Sequence, residues 1–279
     1  MSVFRNGATA LITGGASGIG YAVAELCLRH GMRVAIADFN NEILELAKKN
    51  LGNVETFHAD VSQQEQWKKL KHEVEEKLGA GDQGIDFLML NAGIGAQGTW
   101  GDEDYFQKIL QTNLFGVIHG LNAFVPAFQA RSKTSPPSAI VVTGSKQGIT
   151  NPPSSPAYNA SKSAVKTLTE HLSYDLRDTT TSVHLLVPGW TFTGLSGNSP
   201  TNTTKPKPAG AWTSAQVADY MYSKMQDGKF YIICPDNDVS EETDKKRMQW
   251  SVGDIVEGRP PLTRWRPEYK DQVDEFMRK

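Results

Sequence analysis

The chain has 279 residues and carries 29 basic against 31 acidic side chains, which gives a formal net charge of −2. That length is enough for one large α/β domain with an ample core, and the balanced charge shows no polyanion-binding signature, so we expect no nucleic-acid partner. No apolar segment reaches the roughly 20 residues of a membrane span, and residues 1–7 lack the apolar core of a signal peptide, so we expect a cytoplasmic protein without a membrane partner.

Short apolar runs alternate with longer amphipathic stretches through most of the sequence. The runs predicted to be strands are Ala8–Ile12, Arg33–Ala37, Val54–His58, Phe87–Asn91, Ala139–Thr143, Val183–Val187 and Phe230–Cys234. The stretches predicted to be helices are Gly20–His30, Asn41–Asn50, Gln63–Leu78, Asp104–Arg131, Pro156–Arg177 and Ser214–Gln226. Near-continuous apolar runs are typical of parallel strands covered on both faces. The pattern predicts an α/β fold, a doubly wound parallel sheet of about seven strands with helices on both faces.

The segment Gly194–Ala211 interrupts this alternation. It is polar and rich in Pro, Asn, Thr and Gly, and strand and helix signals resume after it, so it is predicted to be a loop rather than a linker. Its few apolar anchors imply little stability of its own. We expect it to act as a substrate lid, with Gly197–Pro208 mobile without ligand and ordered when ligands are bound.

The tail after the last predicted strand also departs from the pattern. It contains a charged helical run at Ser240–Gln249, then Arg259-Pro260-Pro261, then a short helix from about Pro267. The apolar stripe on one face of that short helix consists of Tyr269, Val273 and Phe276. This stripe is predicted to be a packing surface rather than a functional site.

Two isolated cysteines, Cys27 and Cys234, are the only ones in the chain. The first falls within a helical pattern and the second ends an apolar run, so both are predicted to be buried thiols. They make neither a disulfide framework nor a metal site, and His58, His119 and His171 have no partners at metal-ligand spacing. We therefore expect no bound metal.

Gly14, Gly18 and Gly20 have the spacing of a nucleotide-binding turn between the first strand and the first helix. Glycines let the chain turn tightly and let a pyrophosphate approach the backbone, while the following helix N-terminus offers unpaired N–H groups and a partial positive charge. Such a turn alone is a weak sign of nucleotide binding, but its place directly after the first strand strengthens it.

Asp38 ends the second predicted strand, roughly 20 residues beyond the glycine turn. An acidic side chain there is placed to accept hydrogen bonds from the ribose hydroxyls of an adenosine, and it would repel a 2′-phosphate. The alternative is that Asp38 merely caps the next helix. The first interpretation favours NAD(H) over NADP(H).

Tyr158 and Lys162 are four residues apart on a predicted helix, so they share one face, and Ser145 precedes Tyr158 by 13 residues. A lone Tyr-x-x-x-Lys is more often a solvated helix face, and Ser145 alone would be an ordinary turn residue. A phenol is a poor base near neutrality because its pKa is about 10, but a nearby ammonium and the positive nicotinamide ring of NAD⁺ favour the phenolate and lower that pKa. Tyr158 can then exchange a proton with a substrate oxygen that Ser145 stabilises.

These motifs, in this order and spacing, resemble the short-chain dehydrogenase/reductase family from about Gly7 to about Pro235. The resemblance implies a Rossmann-type sheet. It implies that Asn113, Ser145, Tyr158 and Lys162 are catalytic, with the backbone of Asn113 helping to hold a water for a proton relay; the alternative for Asn113 is a buried amide. The implied substrate residues are Ser145, Gln147, Tyr158, Trp190, Phe192 and Leu195.

The resemblance also implies NAD as the cofactor. The implied cofactor-binding residues are Gly14, Ser17, Gly18, Ile19, Gly20, Asp38, Phe39, Asp60, Val61, Asn91, Ala92, Gly93, Tyr158, Lys162, Pro188, Gly189, Thr191 and Thr193. Asp60-Val61 matches the pair that contacts adenine, and residues 91–93 match the loop that flanks the ribose. Thr191 and Thr193 match the contacts of the nicotinamide carboxamide. Ser17 fits NAD, because family members that use NADP often carry Lys or Arg at this position.

The expected function is an NAD(H)-dependent oxidoreductase that interconverts a secondary alcohol and a ketone. Trp100, Trp190 and Phe192 flank the catalytic segments and suggest a bulky apolar or aromatic small molecule, although Trp190 and Phe192 could equally be core aromatics. Two alternatives are a non-redox catalyst and a dinucleotide-binding regulator on the same fold. Relatives of those kinds usually lose the catalytic Tyr, Lys or Ser, and this chain keeps all three.

The resemblance implies a homo-oligomer, a dimer or a tetramer. Family members commonly end soon after the last strand, whereas this chain continues for about 40 residues, so the usual tetramer contacts near that strand are uncertain. We expect a single domain over residues 1–279, with a core of about 7–235, a substrate loop at 194–211 and a C-terminal extension at 236–279.

Overall fold

The structure is a computed structural model that describes residues 2–81, 84–95, 98–196, 198 and 206–278. The strands formed by these residues are β1 (Thr9–Thr13), β2 (Arg33–Asp38), β3 (Val54–His58), β4 (Phe87–Leu90), β5 (Ser138–Thr143), β6 (Thr181–Val187) and β7 (Tyr231–Ile233). They form one parallel sheet in the order β3-β2-β1-β4-β5-β6-β7. The predicted seven-stranded parallel sheet is confirmed.

Helices lie on both faces of this sheet, as predicted. The α-helices of the described residues are α1 (Gly18–Arg29), α2 (Asn41–Leu51), α3 (Gln64–Lys77), α4 (Glu103–Leu110), α5 (Gly116–Gln129), α6 (Gln147–Thr150), α7 (Pro156–Asp175), α8 (Ser214–Gln226), α9 (Glu241–Val256) and α10 (Lys270–Arg278). None of them combines the length and the apolar character that crossing a lipid bilayer requires.

Two cores form because side chains alternate along each strand. On β1, Ala10 and Ile12 face a core shared with α1, α2 and α8, while Leu11 faces a second core shared with α3, α5 and α7. Each large apolar side chain buried in this way stabilises the fold by about 1.5–3 kcal/mol. The prediction that Cys27 and Cys234 are buried thiols is confirmed, and both belong to the first core.

The strand order reverses at β1, which lies between β2 and β4. In open parallel sheets this reversal opens a crevice beyond the carboxyl ends of the strands, where ligands bind. The carboxyl-terminal residues of the five strands that bound the candidate site are Thr13, Asp38, Leu90, Thr143 and Val187. The glycine turn and the segments that carry the other predicted site residues therefore begin along one edge of the sheet.

The predicted helix Asp104–Arg131 is not one continuous α-helix. A π-helical turn spans Gln111–Phe115 and separates α4 from α5. The wider turn contains the buried Asn113, whose side chain bonds the backbone of Ile94. The apolar pattern continues through the turn, so periodicity alone gives no sign of it.

The tail forms more helix than its charged run predicted. α9 extends to Val256, and Ser240 caps it by accepting a hydrogen bond from the Thr243 backbone N–H at 3.1 Å. The predicted packing stripe of α10 is confirmed for two residues: Val273 is buried, and the Phe276 ring lies 5.3 Å from the Trp250 ring, centroid to centroid.

The predicted lid segment Gly197–Pro208 falls mainly on residues 197 and 199–205, which lie outside the described residues. Its mobility stays a prediction. Just before it, the Ser196 hydroxyl donates to the Thr191 carbonyl at 2.8 Å, and just after it, Lys207 Nζ donates to the Ala211 carbonyl at 2.6 Å.

Candidate active site

The turn after β1 can be built only with glycine. Gly14 and Gly18 have φ values of +61° and +55°, the left-handed region that other residues rarely adopt. A Cβ on Gly20 would lie 2.2 Å from the Gly14 carbonyl oxygen, and one on Gly15 would lie 2.6 Å from Ile36 Cβ. The turn therefore presents bare backbone at the carboxyl edge of the sheet.

The N-terminus of α1 is open to an anion. Ser17 occupies the cap position in an extended conformation, but its side chain makes no capping hydrogen bond, and the first turn of α1 holds no acidic residue. Unpaired N–H groups and the helix dipole at such a terminus favour a phosphate. The bare glycine backbone and the uncapped terminus together fit the pyrophosphate of a dinucleotide.

Asp38 is 7% exposed at the end of β2, and it faces the glycine turn. Its carboxylate accepts hydrogen bonds from the backbone N–H groups of Ala16 (3.4 Å) and Asn40 (3.3 Å). Burial raises the pKa of the carboxyl, and these backbone hydrogen bonds oppose the rise. The helix-cap alternative for Asp38 is wrong, because α2 is capped by Asn40, whose side chain accepts from Glu42 and Ile43.

Asn91 joins the ends of three strands. Its Nδ2 donates to the carbonyls of Thr13 (3.2 Å) and Gly14 (3.3 Å), and its Oδ1 accepts from the Thr143 hydroxyl (3.1 Å). The loop of residues 91–93 is thereby held against the glycine turn. Asn91 therefore shapes the crevice by holding the ends of β1, β4 and β5 together.

Tyr158 and Lys162 lie on α7 beside the end of β5. The Lys162 ammonium donates to the Thr143 carbonyl at 2.9 Å and lies 5.9 Å from the centroid of the Tyr158 ring. The Ser145 side chain interacts with the Tyr158 phenol and favours its charged form. The structure thus brings the three residues together, as their spacing predicts.

The expected lowering of the Tyr158 pKa is not found in the protein alone. Burial raises the pKa of Tyr158, and the hydrogen bond with Ser145 opposes the rise only in part. Burial also lowers the pKa of Lys162 to about 8. The ammonium points to the Thr143 carbonyl rather than to the phenol oxygen, so it does not offset the loss of solvent around Tyr158.

Asn113 is fully buried in the π turn. Its Oδ1 accepts from the Ile94 N–H at 2.8 Å, and its Nδ2 donates to the Ile94 carbonyl at 2.9 Å. A Cβ on Gly93 would lie 3.3 Å from Asn113 Oδ1 and 3.7 Å from Lys162 Nζ. The side chain therefore fixes the loop after β4 directly beside Lys162.

The segment after β6 forms the opposite wall of the crevice. Thr191 and Thr193 are almost fully buried, and a Cβ on Gly18 would lie 3.3 Å from Thr193 Cγ2. The Phe192 N–H donates to the Trp212 carbonyl at 2.9 Å, which holds the segment in an extended form. Both threonines follow Pro188 and Gly189 toward the glycine turn.

The two residues expected to contact adenine, Asp60 and Val61, differ in their exposure. Asp60 is half-buried, and its Oδ1 accepts from the Ser62 N–H at 3.0 Å. Val61 is 8% exposed and packs against Gly116, where an added Cβ would lie 2.9 Å from Val61 Cγ2. Phe39, which follows Asp38, is 65% exposed, and Ile19, within the glycine turn, is half-buried.

The predicted substrate residues beyond Ser145 and Tyr158 differ in their exposure. Trp190 is 47% exposed and Leu195 is 62% exposed, so Trp190 is not a core aromatic, while Phe192 is half-buried. Gln147 is exposed, and its backbone N–H donates to the Ser145 hydroxyl at 3.2 Å. Trp100 is 77% exposed and contacts the ring of Phe106.

The sequence matches a known family over most of the residues that form this site. A family model described as short chain dehydrogenase matches residues 8–204. The chain belongs to the short-chain dehydrogenase/reductase family. It is therefore an oxidoreductase with a site for a nicotinamide dinucleotide and a small-molecule substrate.

Relatives of this short-chain dehydrogenase differ in their named cofactors and substrates. An NADP-dependent (R)-specific alcohol dehydrogenase of Lentilactobacillus kefiri is 30% identical over 196 residues, which cover 68% of this chain and 75% of that protein. A 3beta-hydroxysteroid dehydrogenase 2 of Eggerthella lenta is 30% identical over 196 residues, 68% and 73% of the two chains. A crystal structure of a short chain dehydrogenase/reductase from Burkholderia phymatum in complex with NAD has a TM-score of 0.80 at 27% identity, covering 94% of this chain and 98% of that chain.

Sequence reasoning missed one charged group of this short-chain dehydrogenase. Lys146, between Ser145 and Gln147, forms ion pairs with Asp236 (3.5 Å) and Asp244 (2.5 Å). Its partners are about 90 residues further along the chain, so no local spacing could have indicated the contact. The only available signal was a charged side chain directly after the candidate serine.

Proposed function

We propose that this protein is an NAD(H)-dependent oxidoreductase that interconverts a secondary alcohol and a ketone. The observation that carries the proposal is that the Tyr158 phenol interacts with Ser145 and that its ring centroid lies 5.9 Å from Nζ of the buried Lys162. A phenol is a proton donor and acceptor, and a hydroxyl next to it can bind the same reacting oxygen. Such a pair suits the transfer of one proton to or from an oxygen atom.

The proposed roles follow from chemistry and position. Tyr158 donates a proton to the substrate oxygen during reduction and removes it during oxidation. Ser145 hydrogen-bonds that oxygen and stabilises its developing negative charge. Lys162 places a cation below the phenol, and Asn113 holds the neighbouring loop in place beside it. The proposed water relay at the Asn113 backbone remains part of this hypothesis.

The cofactor residues proposed here fit a dinucleotide. The glycine turn and α1 would hold the pyrophosphate, Asp38 the adenosine ribose, and Thr191 and Thr193 the nicotinamide amide. When bound, the nicotinamide ring supplies or accepts the hydride. Support for these placements is the bare turn, the uncapped helix terminus and the closeness of Gly18 to Thr193.

NAD(H) is the proposed form of the cofactor. Asp38 is buried beside the turn, and its carboxylate would repel a 2′-phosphate at the adenosine ribose. Ser17 offers no positive charge to a 2′-phosphate. One relative, the alcohol dehydrogenase of Lentilactobacillus kefiri, is named as NADP-dependent. Comparing activity with NADH and with NADPH therefore tests this proposal directly.

The proposed substrate is a bulky apolar or aromatic small molecule. Support comes from the exposed Trp190 and Leu195, two large apolar side chains on the segment after β6 that also carries Thr191 and Thr193. The hydroxysteroid dehydrogenase among the relatives is named for a substrate of this class. The protein is also proposed to be a homo-oligomer, which rests on the family alone, and to be cytoplasmic, which rests on the sequence expectations given above.

The test is ketone reduction by the purified protein with NADH and with NADPH, followed by loss of reduced-nicotinamide absorbance. The substrates would include a simple aliphatic, an aryl and a steroid ketone. Steady NADH oxidation supports the proposal. NADH binding without turnover of any ketone would favour a regulator, and substrate conversion without a change in absorbance would favour a non-redox catalyst.

Tyr158→Phe tests the assignment of the acid–base group. The variant lacks only the phenol oxygen, so we expect kcat to fall by at least about 100-fold while NADH still binds. Tyr174→Phe is the matched control, because Tyr174 lies on the same helix with 67% of its surface exposed. Near-full activity of Tyr158→Phe would assign proton transfer to another group.

A further inference from the structure

The C-terminal extension contacts the candidate active site through buried charges. Lys146 Nζ lies 2.5 Å from Asp244 Oδ2 of α9 and 3.5 Å from Asp236 Oδ2. The side chains of Asp244 and Asp236 are 2% and 7% exposed, and that of Lys146 is 15% exposed. Lys146 follows Ser145 directly, so this ion pair joins the catalytic segment to α9.

Asp236 extends the same contact to the opposite wall of the crevice. Its Oδ2 accepts from the Trp190 N–H at 3.1 Å, and its Oδ1 accepts from the Val239 N–H at 2.8 Å. A Cβ on Gly189 would lie 2.7 Å from Lys146 Nζ and 2.8 Å from Asp236 Oδ2. The charges therefore press directly against the segment that leads to Thr191.

We propose that Asp244 is a positioning residue for catalysis: through Lys146 it holds Ser145, and through the shared contact with Asp236 it holds the Gly189–Trp190 backbone. This inference rests on the proposed function and extends it to the tail. One carboxylate outside the crevice thus sets the spacing between the serine that binds the substrate oxygen and the wall proposed to hold the nicotinamide.

Stability alone explains this arrangement poorly. Two charges removed from water lose solvation that their attraction only partly restores, and apolar replacements of buried ion pairs are often neutral or stabilising. By contrast, the ion pairs of Lys146 join the segment of Ser145 to both carboxylates, and the directional hydrogen bond from the Trp190 N–H to Asp236 fixes the opposite wall. A displacement of about 1 Å at a reacting group can lower the rate by about 100-fold.

The test compares two buried carboxylates of the same helix. Asp244→Asn removes the charge that pairs with Lys146, whereas Asp254→Asn removes the charge that pairs with Arg259 and contacts neither wall of the crevice. We expect Asp244→Asn to lower kcat for ketone reduction by about 10- to 100-fold. Asp254→Asn is expected to keep kcat close to that of the wild type even if it lowers the melting temperature.

Two further readouts separate positioning from folding. The affinity for ADP-ribose, which would use only the glycine turn and Asp38, is expected to be unchanged in Asp244→Asn. Lys146→Met is expected to lose kcat as Asp244→Asn does, and Lys146→Arg is expected to restore most of it because its cation can still reach both carboxylates. Equal loss of kcat in Asp244→Asn and Asp254→Asn, or no loss in either, would overturn the proposal.

Hydrogen exchange tests the inference without requiring catalytic turnover. We expect faster exchange at residues 145–150 and 190–193 in Asp244→Asn but not in Asp254→Asn, measured without substrate. Unchanged exchange there in Asp244→Asn would also overturn the proposal. If the wild type reduces no ketone, the proposed function fails, and this comparison alone then decides whether Asp244 holds the two walls.

Discussion

At the scale of single residues, Lys162 is a buried cation of the candidate site whose pKa is shifted by its surroundings. It is 4% exposed, and burial lowers its pKa to about 8 because the charged form loses solvation. Tyr158 shifts the other way, since burial raises the pKa of the phenol. Near neutral pH the pair therefore consists of a protonated phenol and a mostly protonated amine, which is the state that the proposed ketone reduction requires.

The pH dependence of ketone reduction should report Lys162. Its ammonium is present below a pH of about 8 and is lost above it, so kcat/KM is expected to fall as pH rises through that value. Lys162→Arg keeps its cation to a much higher pH. The falling limb of that variant should move to higher pH, and its kcat is expected to be lower in absolute terms because the guanidinium has a different shape. Coincident profiles would exclude Lys162 as the group responsible.

Cofactor choice is expected to depend on Asp38. Each charge-assisted hydrogen bond from its carboxylate to ribose contributes roughly 1.5–3 kcal/mol, so the wild type should use NADH far better than NADPH. Asp38→Ala should narrow that gap by weakening NADH use and relieving repulsion of the 2′-phosphate. Asp38→Asn is the isosteric control, since it removes charge but keeps a hydrogen-bond acceptor. A wild-type preference for NADPH, in kcat/KM with both cofactors, would contradict the assignment.

At the scale of elements, sequence patterns predicted what depends on local periodicity. The apolar runs predicted the seven strands, and the amphipathic stretches predicted most of the helices that cover them but not α6. The positions of Tyr158 and Lys162 follow from their spacing on one helix. The π turn at Gln111–Phe115 was not visible, because it depends on a bond between Asn113 and a loop 19 residues away. The ion pairs of Lys146 depend on a contact across about 90 residues, which no local pattern encodes.

The π turn leads to a prediction for Asn113. Its amide satisfies both the N–H and the carbonyl of Ile94, and loss of each partner costs about 1–3 kcal/mol when the group is left buried. Asn113→Ala should therefore lower the free energy of unfolding in urea by about 2–6 kcal/mol and lower kcat, because the loop beside Lys162 loses its support. Gln111→Ala, in the same turn but only half-buried, is the control. A full loss of kcat without loss of stability would indicate direct chemistry instead.

At the scale of the whole molecule, the two edges of the sheet have separate roles. The carboxyl edge carries the candidate site, with its bare glycines and buried charges. At the amino edge, Asp86 accepts hydrogen bonds from Arg5 (2.9 Å) and from the Thr9 N–H (2.9 Å), and Arg131 donates to the Ile85 carbonyl at 2.8 Å. These contacts tie the N-terminal segment, β1, the start of β4 and the end of α5 together, far from any residue proposed to meet a ligand.

This separation predicts that stability can be changed without changing catalysis. Arg131 is 5% exposed, and Arg131→Met leaves the Ile85 carbonyl without this donor and Asp86 with one fewer cation. Breaking a buried ion pair costs about 3–5 kcal/mol, and we expect the lower end because Arg5 still pairs with Asp86. Arg177→Met, at an exposed ion pair, should change the free energy of unfolding by no more than about 0.5 kcal/mol. The free energy of unfolding of each variant is measured in urea. The kinetics of ketone reduction are measured at a temperature where both variants and the wild type are folded. We expect kcat and KM of Arg131→Met to match the wild type, and a fall in kcat at unchanged stability would show that the two edges are coupled.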